Sequence, residues 1–500
     1  MDNSNPDVKN FGLIGAGPVG IFLSFLLIEK GYKVTLYEAG SRDSESTNLN
    51  LSNYVFKTKS KMPSGVHRVG GASNLWKRRV SEFSSDAFNR IDEKGNRVWP
   101  IDFDDLKKAY AYLFSLLDRE GLGDQEYMSK YCKQLNFEMP LIFGLNIFRF
   151  CDEGFFKSLL AKLESSENFS LVIDTFVIEI RQIDVSNKNK NGIELILVKA
   201  GSPDLENTFH SDVVLTGGCL QSTALAMKSI DIMSRLPAPE LIGKFLMEHF
   251  DGYVGTLRIK QKNVKTLRKL ILDEDRKISA HEFGVGLTIP NKSSEVYPAI
   301  DFHLEFVKWR KTYLFDPNLN VFNGLPPRAY RAFFLLERVF KKVPSELRSL
   351  WFKASSTEIY SVWLKGEEIP FATSCLQISK GGHQKDKKLI YNHKVSKETR
   401  ILMRQRLREL SNYVKINNLG KFRIHSYFRF NSVFYTGPNF HPMGTLRMGF
   451  DPKNSIVGPD FAFHGSSHVF AINSGIFPNG SNHNPTALVL ALSIVFASMV

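Results

Sequence analysis

Apolar residues near the start of the chain come in short blocks punctuated by glycine. Phe11–Ile14 is an apolar run that reads as a buried strand, and it leads straight into Gly15-Ala16-Gly17-Pro18-Val19-Gly20. From about Val19 to Lys30 the chain is apolar on every side, the pattern of a buried helix, and Gly31 stops it. Lys33–Tyr37 is a second apolar strand, ending on Glu38. This is a βαβ unit in its shortest form. Gly15 permits the tight turn, Gly17 lets backbone approach a pyrophosphate, and Gly20 lets the helix sit close to the strand. The helix N-terminus faces phosphate, and Glu38 stands where an acid accepts hydrogen bonds from a ribose. The pattern predicts dinucleotide binding and leaves FAD and NAD both open.

The hydrophobic pattern changes twice further along. Residues 39–60 are polar without clear periodicity, and Val69-Gly70-Gly71-Ala72-Ser73-Asn74-Leu75-Trp76 follows as a second place of close backbone approach. Asp102 or Asp104 caps a helix whose apolar face is Leu106, Ala109, Tyr110, Leu113 and Leu117. Leu171–Ile173, Val177–Ile180 and Ile193–Val198 read as strands, with a hairpin turn at Asn187–Gly192. Ser211–Leu215 is a buried strand entering Gly217-Gly218-Cys219-Leu220-Gln221-Ser222, with a helix from about Thr223. From about 252 to 435 alternation replaces apolar runs. In Ala299–Phe306, Ile300, Phe302, Leu304 and Phe306 share one face, and Asp301, His303 and Glu305 share the other. Gly252–Lys260, Phe283–Ile289 and Ile359–Trp363 are also strand-like, and helices are expected at about 328–353 and 396–413. Residues 441–500 return to glycine- and proline-rich turns and a last apolar helix. The reading is α/β. A Rossmann-like domain comprises 1–250 and 436–500, and an antiparallel sheet with helices is inserted at 251–435.

Composition narrows the classes. At 500 residues the chain exceeds one simple core, and 43% hydrophobic with 23% charged residues is the balance of a globular protein. The net charge of +14 suits anionic partners, yet no nucleic-acid motif accompanies it, so a solvated basic surface is the preferred reading. Cys132, Cys151, Cys219 and Cys375 are too scattered for a disulfide framework or a metal site, which fits cytoplasmic thiols. The polar N-terminus has no basic region of a signal peptide, and apolar Ala487–Val500 is shorter than the roughly 20 residues a bilayer needs. A cytoplasmic protein without a membrane span is expected. Residues 328–353 mix Arg328, Arg331 and Arg338 with Phe333, Phe334 and Trp351. A lid or plain surface is preferred there over a membrane-surface helix.

Taken together, these motifs resemble the glucose–methanol–choline (GMC) oxidoreductases over nearly the whole length. Gly15–Gly20 with Glu38 resembles the family's FAD fingerprint, and Gly70–Trp76 its second glycine stretch. Trp99-Pro100-Ile101, Thr216-Gly217-Gly218 with Ser222, and Ile242–His249 follow in the family's order. The most specific part is His441-Pro442-Met443-Gly444-Thr445-Leu446-Arg447-Met448-Gly449, followed by Asn473–Pro478 and Asn484-Pro485-Thr486. The resemblance implies FAD as the cofactor. The contacts it implies are Gly15, Gly17, Pro18, Val19, Gly20, Glu38, Gly70, Gly71, Ser73, Asn74, Val177, Gly217, Ser222, Asn473, Pro485 and Thr486. No metal is implied. Some relatives attach FAD through a histidine near the position of Leu75, and leucine cannot, so non-covalent FAD is expected.

The reaction implied is oxidation of an alcohol, with hydride passing to flavin N5. Such chemistry needs a base with a pKa near working pH, which histidine meets. By the resemblance His441 is that base, and Asn484 holds the substrate hydroxyl. His483 is read as pointing away or touching flavin, His249 as a packing or flavin-contact residue, and His464 and His468 receive no role. The Lys77-Arg78-Arg79 run replaces the usual glycines, and Asn473 replaces the usual aspartate. The substrate expected is a sugar, cyclitol or polyol, with a lipophilic alcohol as alternative and oxygen or another acceptor taking the electrons. A lyase or light-driven decarboxylase on the same fold, and a non-catalytic flavoprotein, are the competing readings.

Overall fold

The structure is a computed structural model. It describes residues 9–42, 54–56, 66–76, 78–83, 85–91, 97–117, 126, 144–152, 154–183, 192–202, 204–260, 283–288, 300–306, 357–379, 389–416, 418, 420–424, 437–438, 441–481 and 483–500. The helix expected at 328–353, Cys132 and Lys77 lie outside the described residues.

The first strand forms at Asn10–Ile14 and is central to a five-stranded parallel sheet. Across the sheet the order is Val469–Ala471, Asp212–Leu215, Asn10–Ile14, Lys33–Tyr37 and Phe169–Val172. Every residue of Asp212–Leu215 and Val469–Ala471 is buried, as a parallel sheet covered on both faces requires. The helix Pro18–Glu29 starts at the glycine turn and buries Gly20 through Leu27 without a break. The terminal helix Thr486–Met499 is apolar all round and packs against it and against Phe103–Leu117. That second neighbour is capped by Asp102, whose Oδ1 accepts the Asp104 N–H at 2.9 Å. Its expected apolar face, Leu106, Ala109, Tyr110, Leu113 and Leu117, is buried.

The antiparallel sheet has the path Gly420–Ile424, Phe250–Lys260, Thr357–Gly366, Ile300–Phe306, Phe283–Thr288, Gly144–Phe150 and Arg79–Val80. The last two strands come from the part of the chain assigned by sequence to the nucleotide half. Hydrogen bonding draws them into the other sheet. Tyr54–Phe56, from the segment without periodicity, likewise pairs with Leu389–Tyr391. Strand pairing is set by partners far away in sequence, which a local pattern does not carry. The hairpin strands form at Thr175–Ile183 and Gly192–Lys199 and acquire a third partner, Leu205–His210, that the pattern missed. The helix expected from about Thr223 begins earlier, at Cys219. That expected at 396–413 spans Lys397–Ile416. No helix among the described residues is long and apolar enough to cross a membrane.

His210 closes the end of the hairpin layer against the first strand. Its ring fills the space a Cβ on Gly12 would need, 2.7 Å from that position, and its Nε2 lies 2.9 Å from the Tyr37 hydroxyl. Burial pushes its pKa down to about 4. The folded state therefore binds the proton less readily than the unfolded chain, and stability is lost as pH falls from about 6.5 toward the folded value. The expected loss from this residue is about 3 kcal/mol at most. Urea midpoints at about pH 7 and about pH 5 should differ less in His210→Gln than in the wild type.

Candidate active site

Three glycine turns meet at the carboxyl ends of the central strands, where ligands bind in open α/β sheets. Gly15 has φ +111°, and a Cβ there would lie 2.5 Å from Gly217 Cα. A Cβ on Gly20 would lie 2.0 Å from the Gly15 carbonyl oxygen, so the helix can only approach the strand without one. The second glycine stretch folds onto the first: the Gly70 N–H donates to the Ala16 carbonyl at 2.8 Å, and a Cβ on Gly71 would sit 3.0 Å from Gly17 Cα. Gly17 differs from its neighbours. A Cβ there would meet nothing within 4 Å, so its turn opens onto free space at the N-terminus of Pro18–Glu29. This cradle fits the diphosphate of a dinucleotide such as FAD.

The side chains predicted around this cradle divide in their use. Glu38 is buried and accepts the Ala16 and Gly40 N–H groups, each at 2.9 Å. Burial raises its pKa against the pull of those donors. Ser73 and Asn74 brace their own loop by donating to the carbonyls of Gly70 and of Val69 and Gly71. The Ser222 hydroxyl donates to the Gly217 carbonyl. Asn473 donates from Nδ2 to the Leu215 carbonyl at 3.0 Å and accepts the Gly475 N–H at 2.8 Å. An aspartate could not make the first of these bonds, which gives the departure from the family pattern a structural reason. Val177 is half-buried, next to a register irregularity in its strand. Pro18 and Val19 open the first helix, Pro485 precedes Thr486 at the start of the last, and Leu75 is 68% exposed.

The segment carrying His441 is stitched on both edges. Met443 and Met247 exchange two backbone hydrogen bonds, each 3.0 Å. On the other side the N–H groups of Gly444, Leu446 and Met448 donate to the carbonyls of Ser474, Gly475 and Ile476. Gly444 has φ +88°, and a Cβ there would lie 2.4 Å from the Phe245 carbonyl. Thr445 anchors the turn from below through Cys219 Sγ at 3.0 Å and Thr223 Oγ1 at 2.7 Å, and burial pushes the Cys219 thiol up to about 12.

This stitching places Glu248 and His249 directly against His441. The His441 N–H donates to Glu248 Oε2 at 2.9 Å, and the two imidazole Nδ1 atoms lie 3.3 Å apart. His249 is therefore a neighbour of the candidate base, a relation its sequence position did not reveal. Glu248 is fully enclosed, and burial pushes its carboxyl up to about 7, against His393, the His441 N–H and Tyr391, with Glu368 adding to the rise. On the opposite side the loop leading to Asn484 passes the same segment: a Cβ on Gly480 would sit 3.3 Å from Met443 Cε. His483 is buried and bonded through Nδ1 to the buried Ser81 hydroxyl at 2.8 Å, which ties the loop before Asn484 to the residue after Arg79–Val80. His464 and His468 serve as links to Ser455 and Asp212. No cluster of potential metal ligands occurs among the described residues.

Comparison with known proteins agrees with this architecture. Residues 370–493 match the family model described as GMC oxidoreductase, and the resemblance read from the motifs is borne out over that segment. The fold, a parallel sheet joined to antiparallel sheets, is shared with solved structures of three oxidases. A pyridoxine 4-oxidase from Mesorbium loti superposes with a TM-score of 0.58 at 15% identity, covering 98% of this chain and 99% of its own. A fungal aryl-alcohol oxidase gives 0.55 at 12%, covering 99% and 98%. An Aspergillus oryzae RIB40 formate oxidase, studied for FAD modification, gives 0.55 at 16%, also covering 99% and 98%. No curated protein matches the sequence.

The glycine geometry separates two substitutions. Gly17→Ala faces open space and should leave the unfolding temperature of the cofactor-free protein unchanged while weakening dinucleotide binding about tenfold or more. Gly20→Ala should destabilise the fold itself, by roughly 3 kcal/mol or more, because backbone must move. Thermal unfolding with and without added FAD distinguishes the two.

Proposed function

We propose that this chain is an FAD-dependent oxidoreductase acting on an alcohol CH–OH group, with His441 as the base and Asn484 as the hydroxyl-holding partner. The reading is carried by an open glycine cradle at the end of the first strand and a histidine segment fixed on both edges, whose Ser474–Ile476 neighbour is anchored through Asn473 to the adjacent strand Asp212–Leu215. Bound in that cradle, FAD would supply the hydride acceptor. The protein's part is to remove the hydroxyl proton to the His441 imidazole and to keep the oxygen oriented through a neutral amide at Asn484. An amide donates to oxygen without competing for the proton. On this reading, with the domain division kept at about 251 and 435, the parallel sheet holds the nucleotide and the antiparallel sheet, which also takes in Arg79–Val80 and Gly144–Phe150, covers the substrate. Leu75 carries no nucleophile, which favours non-covalent FAD.

The substrate class we favour is a sugar, cyclitol or polyol, with a lipophilic alcohol second. The pyridoxine and aryl-alcohol oxidases, proteins of the same fold, are named for alcohol substrates. Oxygen or a second acceptor completes the cycle, and a cytoplasmic setting fits the scattered cysteines.

An anaerobic spectrum against a panel of such alcohols tests the reading. One class should bleach the oxidised flavin band. His441→Ala should keep the flavin bound and slow its reduction by roughly 10²-fold or more. Equal reduction by the variant would remove His441 from the role. A yellow protein that no alcohol bleaches would favour the lyase or non-catalytic reading.

A further inference from the structure

Behind His441 lies a buried cluster of charged groups that the alcohol reaction does not by itself require. Arg90 pairs with Glu367 through both guanidinium nitrogens, one bond measuring 2.6 Å, with both residues buried. The adjacent Glu368 accepts from its Oε2 side twice, from His393 Nε2 at 2.8 Å and from the Glu248 N–H at 3.2 Å. Tyr391 donates its hydroxyl to Glu248 Oε1 at 3.2 Å, and the other Glu248 oxygen takes the His441 N–H. Cys219 approaches from the helix side, and His249 lies beside the base. Among the described residues of this cluster, two cations, Arg90 and His393, face three carboxyls, Glu367, Glu368 and Glu248. The first two carboxyls have their own cation. Glu248 is the third, and it is the one in contact with the His441 segment.

A buried charge needs a countercharge or it gives up its ionisation. Among the described residues, His393 is the cation that favours the ionised Glu248, and the His441 backbone bonded to that carboxylate carries the next imidazole. We infer that Glu248 is a positioning residue for His441: it holds the backbone of the base and supplies the countercharge when that imidazole takes a proton. The inference rests on the reading of His441 as base. In the step, the substrate O–H bond would break, its electron pair forming the C=O bond and its proton an N–H bond on His441, while FAD held in the glycine cradle would supply the two-electron acceptor for the hydride released from the carbon. No proton passes through Glu248, so the balance needs no further reactant. The ionised carboxylate favours the imidazolium, and the carboxyl form does not. Burial sets this change near neutrality, while His393 and the Tyr391 hydroxyl favour the ionised form and Glu368 opposes it. For His393 itself, burial works against the imidazolium, and the Glu368 carboxylate outweighs it and raises the pKa.

The test compares the holoproteins of the wild type, Glu248→Gln and Tyr391→Phe. Anaerobic flavin reduction by the alcohol identified above is followed across pH, and infrared difference spectra report the protonated carboxyl. In the wild type a carboxyl band should vanish as pH rises through about 7, and Glu248→Gln should lack it. Glu248→Gln should reduce about tenfold more slowly above neutrality, with the kinetic pKa of the base lowered by about one unit. In Tyr391→Phe, which removes a donor to the ionised carboxylate, the band should persist to higher pH. This arm decides the matter if Glu248→Gln does not fold. A wild-type pH profile in Glu248→Gln, or a band that Tyr391→Phe does not move, overturns the inference. If His441→Ala is slow and Glu248→Gln is normal, only this inference fails. If His441→Ala is as fast as the wild type, the base reading fails and takes the inference with it.

Discussion

Residues 443–448 bond through their backbone to Met247 on one side and to Ser474, Gly475 and Ile476 on the other. The site depends on this double seam. Without it His441 would sit on a free loop. With it, the position of His441 is referred to the parallel sheet, because the Asn473 amide is tied to the end of Asp212–Leu215. The seam also demands glycine. At Gly444 the chain runs so close to Phe245 that a side chain has no room, and the positive φ there disfavours one as well.

The same seam sets the electrostatics. Because Met247 pairs with Met443, the next two residues, Glu248 and His249, stand against His441. Their environment is completed from the other direction by Glu368, Tyr391 and His393, which follow the long strand Thr357–Gly366 and end the short strand Leu389–Asn392. Two sheets thus contribute to one buried polar cluster. A low-dielectric interior makes each member sensitive to the ionisation of the others.

Much of the nucleotide half was legible because its signals are local. The strand, glycine turn and helix of residues 10–29 follow from apolar runs and from glycines at positions where a Cβ collides. The Asp102 cap and the buried face of Phe103–Leu117 follow from a cap residue and a helical period. The ordered motifs from Gly15 to Thr486 made the family resemblance visible, and the match over residues 370–493 agrees with them. Less legible were Tyr54–Phe56, Arg79–Val80 and Gly144–Phe150. Their strand character exists only through partners far along the chain.

The sequence alone determined the local pattern: which turns are glycine and which runs are apolar, while the resemblance to a family singled out the segment of the proposed base. It could do so because backbone sterics and side-chain period act over a few residues. The tertiary structure decided which distant residues meet. It set His249 beside His441, Ser81 against His483, and three carboxyls against two cations behind the site. These relations depend on strand pairing and burial. They arise from contacts between segments up to 402 residues apart, which a single chain read in order does not record.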